Sequence, residues 1–327
     1  MEKVLIWLGG IWLGLISTGC YALSFPLPPE GQDVVGAPVE ITSRYEDTFS
    51  DFARDYGLGY REMLAANPGV DPWLPGAGTR IVIPTRFILP PPPREGLIIN
   101  LAELRLYYFP AGENRVITHP IGIGREGWET PTGKTRITQK TKDPTWTPPE
   151  SIRAEYAEKG IELPRVVKAG PDNPLGRFAL RLGMPGYLIH GTDKPYGVGM
   201  RVSHGCIRMY PEDIEALFPL IPVKTPVRII NQPYKAGWLN DKLYLEAHPP
   251  LEETMKEPDK ALNLTPVVKV VAAARGDIPA VLDWEKVQQI ARQQRGIPIA
   301  VAKKKSMPEF VTENNMEKGL GVLPPSP

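Results

Sequence analysis

The chain has 327 residues, with 38 Lys and Arg against 37 Asp and Glu, a net charge of +1. Nucleic-acid binding rests on a surplus of basic side chains, and no such surplus exists here. The 38 prolines and 31 glycines favour short strands and turns over long helices, and no heptad or fixed-period repeat is present.

Lys3 is followed by an apolar run, Val4 to Ile16, then by Ser17-Thr18-Gly19-Cys20-Tyr21-Ala22-Leu23-Ser24. A positive residue, a short apolar core and small residues predict a signal peptide over 1–24, cut before Phe25. The run is shorter than the ~20 residues of a comfortable membrane span. Two other readings are a retained anchor and lipid attachment at Cys20. Gly19-Cys20 suits the lipid, but Ser17 stands where a larger aliphatic residue is usual. All three readings put the rest of the chain outside the cytoplasm.

Residues 39–84 predict a strand (Val39-Glu40-Ile41), a capped helix from Asp47-Thr48, a second helix from Tyr60 stopped by Asn67-Pro68, and a closing strand (Arg80 to Pro84). This small α+β unit, EDTFSDFARDYGLGYREMLAANPGVDPWLPGAGTRIVIP, resembles a LysM domain. The resemblance implies binding to the glycan of peptidoglycan. Pro90-Pro91-Pro92-Pro93 follows, which reads equally as a stiff spacer at a domain boundary or as a segment wrapped on one domain.

Residues 96–231 read as mainly β. Strands are expected at 97–100, 104–109 and 115–119, with Pro110 to Asn114 as a hairpin turn. Gly122-Ile123-Gly124 and Thr130-Pro131-Thr132-Gly133 read as loops, and 150–159 as a helix. Strands follow at 178–182 and 187–190, then a helix opened by Pro211, and a last strand at 227–230. A C-terminal extension, 232–302, predicts a hairpin and a helix over 284–295 capped by Asp283 and ended by Gly296. Residues 303–327 are polar and proline-punctuated, which predicts disorder.

Chemistry concentrates in Ser203-His204-Gly205-Cys206-Ile207-Arg208. Cys206 is one of two cysteines, and loss of the N-terminal segment leaves it alone. A lone thiol outside the cytoplasm is a liability unless its reactivity is used. Its thiolate needs a proton acceptor, and two histidines qualify. His204 is two residues away. His190 ends an apolar strand, where the carbonyl of Gly191, or the one after it, can fix the imidazole tautomer. The amides of His204, Gly205 and Cys206 can form an oxyanion hole. Arg208 brings a permanent cation able to hold a carboxylate. A single cysteine is often an inert small hydrophobe and a single histidine a satisfied core residue; their combination favours catalysis. A zinc site from His190, His204 and Cys206 lacks an evident fourth ligand, so no metal or cofactor is expected.

Three segments, IHGTDKPYGVGMRVSHGCIRM, PIGIGREGWETPTGKTRI and AGPDNPLGRFALRL, resemble the YkuD-type L,D-transpeptidases of bacterial cell walls. The resemblance covers about 96–231 and implies a mainly β, sandwich-like catalytic domain with short helices. It implies Cys206 as nucleophile, His190 as acid/base, and Ser203, His204, Gly205 and Gly191 in support. Arg208, Thr130 and Gly133 become candidate substrate contacts. The order of segments is similar to periplasmic Gram-negative enzymes that attach a lipoprotein to peptidoglycan or form 3→3 cross-links. That subgroup shares the short spacing of His190 and Ser203 and the arginine at 208, where many other members carry Asn. The expected partners are peptidoglycan and, as acceptor, a lipoprotein lysine or diaminopimelate. Two rival functions stand beside this one: the same thioester passed to water, and a non-catalytic wall-binding protein.

Overall fold

A computed structural model describes residues 22–251 and 263–305. Most of the expected signal peptide, Cys20, and residues 306–327 of the expected tail lie outside the described residues. One nine-stranded sheet dominates, in the order β1-β8-β7-β6-β15-β10-β11-β12-β14. Its strands are β1 (Leu23–Pro26), β6 (Gly96–Asn100), β7 (Arg105–Phe109), β8 (Arg115–Pro120), β10 (Gly133–Lys142), β11 (Phe178–Leu182), β12 (Leu188–His190), β14 (Ile207–Arg208) and β15 (Pro226–Ile230). The expected sandwich is thus made by one sheet that folds over. The fold line is β10. Residues 133–136 pair with β15, the rest with β11, and the register shifts between Ile137 and Gln139. Such an irregularity bends a strand and lets a sheet turn a corner. Gly133, expected in a loop, opens β10, and the rest of that strand was not expected: GKTRITQKTK is polar, and the structure buries only Ile137.

The two halves close on one core: Leu97, Ile99, Leu106 and Ile229 meet Leu180, Leu182, Ile189 and Ile207. The strands β6 and β7 are buried at every position. A continuous apolar run marks a strand covered on both faces. The second cover is the N-terminal unit. It contains β2 (Val34–Gly36), β3 (Val39–Thr42), α1 (Phe49–Asp55), α2 (Tyr60–Ala66), β4 (Arg80–Ile83) and β5 (Arg86–Ile88). The strand–helix–helix–strand order is as expected, with β3 antiparallel to β4. Thr48 caps α1, and Asn67 ends α2 by bonding Met63 O and both backbone groups of Val82. Phe49, Phe52, Met63, Ile81 and Ile83 then share a core with Ile98, Tyr107, Phe109 and Val116 of the sheet.

The proline run is a packed segment, not a spacer. The Arg228 guanidinium donates to the carbonyls of Pro91, Pro92 and Pro93, and Arg94 Nε donates to Pro90 O at 2.8 Å. Strand β1 begins at Leu23, paired with Thr118. Cleavage before Phe25 would remove half of that strand.

Three further elements in the chain order complete the catalytic half: β9 (Ile123–Gly124), α3 (Glu150–Glu158) and β13 (Arg201–Ser203), with α4 (Pro211–Leu217) behind them. The Gly122-Ile123-Gly124 segment, read as a loop, pairs through β9 with β13.

The C-terminal extension is larger than a hairpin and a helix. Strands β16 (Tyr234–Leu239), β17 (Lys242–Ala247), β18 (Ala280–Leu282) and β19 (Ile299–Lys304) form a sheet packed on α5 (Thr265–Arg275) and α6 (Trp284–Gln293). Asp283 caps α6 as expected, but Gln294, at φ +48°, ends it in place of Gly296. Lys303 and Lys304 belong to β19, so the expected tail starts too early.

A buried charge network joins this extension to the rest. Lys235 Nζ lies 2.7 Å from Glu103 Oε2 and 3.1 Å from Glu246 Oε1 and donates to Ile88 O. His248 Nε2 lies 2.7 Å from Glu246 Oε1, Tyr107 donates to Glu103 at 2.9 Å, and the Ile88 amide donates to Glu246 at 2.7 Å. Glu103, Glu246 and His248 offer three ligand atoms within 4.8 Å of one another. The Lys235 ammonium already supplies the cation for that cluster. Burial pushes the Glu103 carboxyl up, whereas Lys235 and His248 hold Glu246 down at about 2 against its own burial. Replacing Lys235 by Met leaves two carboxylates facing each other, and should cost about 3–5 kcal/mol in urea unfolding. Exposed Lys242→Ala should stay within about 0.5 kcal/mol of the parent.

Candidate active site

Strands β12 and β14 run parallel, with Ile189 opposite Ile207 and His190 opposite Arg208. Side chains alternate along a strand, so Cys206, two residues before Arg208, shares the face of His190. The apolar members of this pair, Ile189 and Ile207, point the other way and are fully buried in the core. Alternation therefore plants the strands and turns the chemistry outward. His190 is itself buried, and its Nδ1 lies 2.6 Å from Gly191 O. A carbonyl only accepts, so Nδ1 carries the hydrogen and Nε2 keeps its lone pair. The Cys206 thiol points at Gly186 O, 3.6 Å away, and receives the Leu188 amide.

The loop before Cys206 is stapled from within. Ser203 Oγ donates to Cys206 O and accepts the Gly205 amide at 3.1 Å. Ser203 is thus a staple, and the Gly205 N–H is taken, which removes both as oxyanion donors. Gly205 has φ +97°, and a Cβ there would sit 2.9 Å from the Tyr187 ring. Only glycine fits both demands. Thr130 is buried; its Oγ1 donates to Gly205 O at 2.7 Å and accepts the Gly124 amide at 3.0 Å. It clamps the cysteine loop and is not a surface for substrate. Gly133 pairs with Ile229 inside the sheet, also away from a contact role.

His204 faces a different neighbourhood. Its Nε2 lies 2.8 Å from Glu155 Oε2 and 3.3 Å from Arg125 Nη2, and its ring meets Trp128 edge-on at 4.7 Å. Glu155, on α3, also pairs with Arg125 and Lys159. Hydrogen bonds from Arg125, Lys159 and His204 hold its carboxyl far below the usual range. Sequence reasoning missed Glu155, Arg125 and Trp128. The Glu155–Lys159 spacing on a helix was visible, but their partner lies 49 residues on.

Burial, and then the Arg208 charge, push His190 down to about 3, against the Gly191 carbonyl, which raises it. Burial pushes the Cys206 thiol up; the Leu188 amide, Arg208 and Arg181 oppose this in part. The resting pair is therefore a thiol beside a neutral imidazole, not a thiolate–imidazolium pair. The Arg208 side chain is partly buried, and its Nε has no hydrogen-bond partner among the described residues.

Iodoacetamide alkylation of Cys206 should accelerate with pH to an inflection above that of an ordinary thiol, with no reaction plateau at pH 5. Arg208→Gln should move the inflection further up, because the guanidinium favours the thiolate. A plateau extending to acid pH would mean that an ion pair exists.

The model of the YkuD L,D-transpeptidase catalytic domain matches residues 94–229. The chain is 43% identical over 296 residues to the probable L,D-transpeptidase ErfK/SrfK of Salmonella typhimurium, covering 88% of this chain and 94% of that one. It is 42% identical to the probable L,D-transpeptidases YcfS and YbiS of Escherichia coli, over 88% of this chain and 91% and 94% of theirs. Matches of this identity across both halves of the molecule carry the conclusion that the chain belongs to the YkuD family of cysteine-dependent L,D-transpeptidases.

Proposed function

We propose that this enzyme carries the acyl group of a peptidoglycan stem peptide on Cys206 and passes it to an amine. The observation that carries the reading is the fixed tautomer of His190, with Nε2 a proton acceptor on the face of the sheet that bears the thiol. His190 Nε2 takes the thiol proton as sulfur attacks the carbonyl at the L-centre of diaminopimelate in a tetrapeptide stem. The oxyanion rests on the amides of His204 and Cys206, the two donors of the expected set that Ser203 does not occupy. The C–N bond to the terminal D-Ala breaks, and the leaving amine takes the proton from His190. An amine then attacks the thioester, His190 accepts its proton, and the thiol is restored. The thioester conserves the acyl energy, so the transfer needs no nucleotide.

Arg208 shares the thiol's face and is suited to a stem carboxylate. In this reading the enzyme is exported to the periplasm, where its substrate lies. Acceptors are a lipoprotein lysine, a second diaminopimelate, or water. The N-terminal unit, LysM-like in its element order, is proposed to hold glycan. Tyr45 is 78% and Trp73 57% exposed on its two long loops, and Trp73 leans on Tyr60 at 5.8 Å. Exposed rings of this kind suit the flat faces of sugars.

Cys206→Ala should abolish transfer with the fold intact, and His190→Ala should cost ~10²–10⁴-fold. His204→Ala should be milder, since its ring nitrogen is engaged by Glu155. Reversal of that order in a muropeptide assay would make His204 the base. Mass spectrometry of the same muropeptides names the acceptor as a 3→3 dimer, a lipoprotein remnant or a shortened stem. Trp73→Ala should weaken cosedimentation with purified sacculi without slowing turnover of a free tetrapeptide; equal retention removes the glycan role.

A further inference from the structure

The segment from Gly191 to Val202 joins the acid/base histidine to the cysteine loop, and the N-terminal unit grips it. Gly199 and Gly59, at the start of α2, meet backbone to backbone. A Cβ on Gly59 would lie 2.7 Å from Gly199 Cα, and Gly199 itself has φ +77°. The Arg61 amide donates to Gly199 O at 3.4 Å, while the Gly199 amide donates to Ile121 O at 3.2 Å. The segment is thus pinned between α2 and the catalytic sheet.

Gly59 is itself fixed from below. Its amide donates to Glu62 Oε2 at 2.6 Å, and Glu62 takes the fully buried Arg105 guanidinium of β7 at 2.7 Å. Arg105 also donates to Gly57 O at 3.2 Å and lies 4.4 Å from the Phe87 ring. The chain of contacts runs from the sheet through Arg105 and Glu62 to Gly59 and Gly199. A second grip lies downstream of the thiol. Tyr210 donates to Leu58 O at 3.3 Å, and Arg54 of α1 donates from Nε and Nη2 to the two carboxylate oxygens of Glu212 at 2.6 and 3.0 Å. The same helix pair therefore holds the chain on both sides of Cys206.

We infer that the α1–α2 turn, Leu58 to Arg61, is a positioning element for the cysteine loop, acting on chemistry at Cys206 whether or not glycan is bound. The inference rests on Cys206 as the reacting thiol. It differs from a wall-anchoring role, which would leave small, sugar-free substrates untouched.

Gly59→Ala tests the contact. Gly59 has φ −93° and ψ 153°, ordinary for alanine, so the methyl acts through its neighbours: it displaces Gly199 and presses on Glu62 Oε2, 3.1 Å away, the next link of the same chain of contacts. The variant should acylate Cys206 with a small carbapenem about tenfold or more slowly than the parent. On a free tetrapeptide it should lose kcat more than it raises KM, with a parent-like circular dichroism spectrum and unchanged cosedimentation with sacculi. Glu212→Gln, which loosens the second grip at the surface, should slow acylation in the same direction by a smaller factor. Parent-like acylation by Gly59→Ala overturns the inference. If Gly59→Ala does not fold, a parent-like rate for Glu212→Gln overturns it instead. Failure of the parent itself to acylate would strike the assignment of Cys206, a result distinct from either.

Discussion

The parallel pairing of β12 with β14 is the constraint on which the site depends. It brings two strands separated by sixteen residues of chain into one register and sets His190 and Cys206 on one face. A hairpin could not do this, since parallel neighbours require a crossover. The crossover runs from Gly191 to Cys206, and Gly199 and Gly205 take positive φ within it. Burial of His190 then needs a partner for Nδ1, which the next residue's carbonyl supplies. A carboxylate in that place would raise the imidazole's affinity for a proton. A carbonyl raises it far less, and burial beside Arg208 lowers it. The histidine therefore waits as a base and holds a proton only while the reaction needs it there.

That constraint extends outward through the sheet. Because β6 and β7 are buried on both faces, removing the N-terminal unit would expose Ile98, Tyr107 and Phe109 to water. The unit is a wall of the catalytic half and not a bead on a linker. Arg228, which binds three successive proline carbonyls, holds the connecting segment against the sheet. The Lys235 network does the same for the C-terminal extension, where Ile88, Glu103 and Glu246 contribute from three separate stretches of chain. A buried ion network adds less to stability than an apolar core of the same size, but it tolerates only one arrangement of its parts. Here that arrangement fixes how the extension sits on the sheet.

Much of this was legible in the sequence where the physical signal is local. Apolar alternation gave β11 and β15, the Asn67-Pro68 pair gave the end of α2, and the lone Cys206 beside two histidines gave the chemistry. Even the Gly191 carbonyl was readable, because it is the next residue in the chain. The failures share one cause. Strand β10 is polar, and it is a strand only because β15 and β11 flank it. Thr130 looked like a loop residue open to substrate, but its hydroxyl is consumed by Gly205 and Gly124. Glu155 acts on His204 from a helix whose own pattern says nothing about its target. The four prolines carried two opposite readings, and the deciding residue, Arg228, lies 135 residues away. Partners distant in sequence leave no local trace.

The neutral resting pair also accounts for how a single thiol survives. Oxidation and adventitious alkylation both proceed through the thiolate, so their rates follow its fraction. Burial raises the Cys206 thiol and keeps that fraction low. Arg208 partly opposes this, and its charge also keeps the proton off His190. A stem carboxylate brought to Arg208 would neutralise that charge. The imidazole would then become a stronger base and the thiolate a less favoured product, so the two effects oppose each other in proton transfer from sulfur to His190. The backbone around the thiol is held by the Ser203 and Thr130 staples and by the close approach of Gly59 to Gly199.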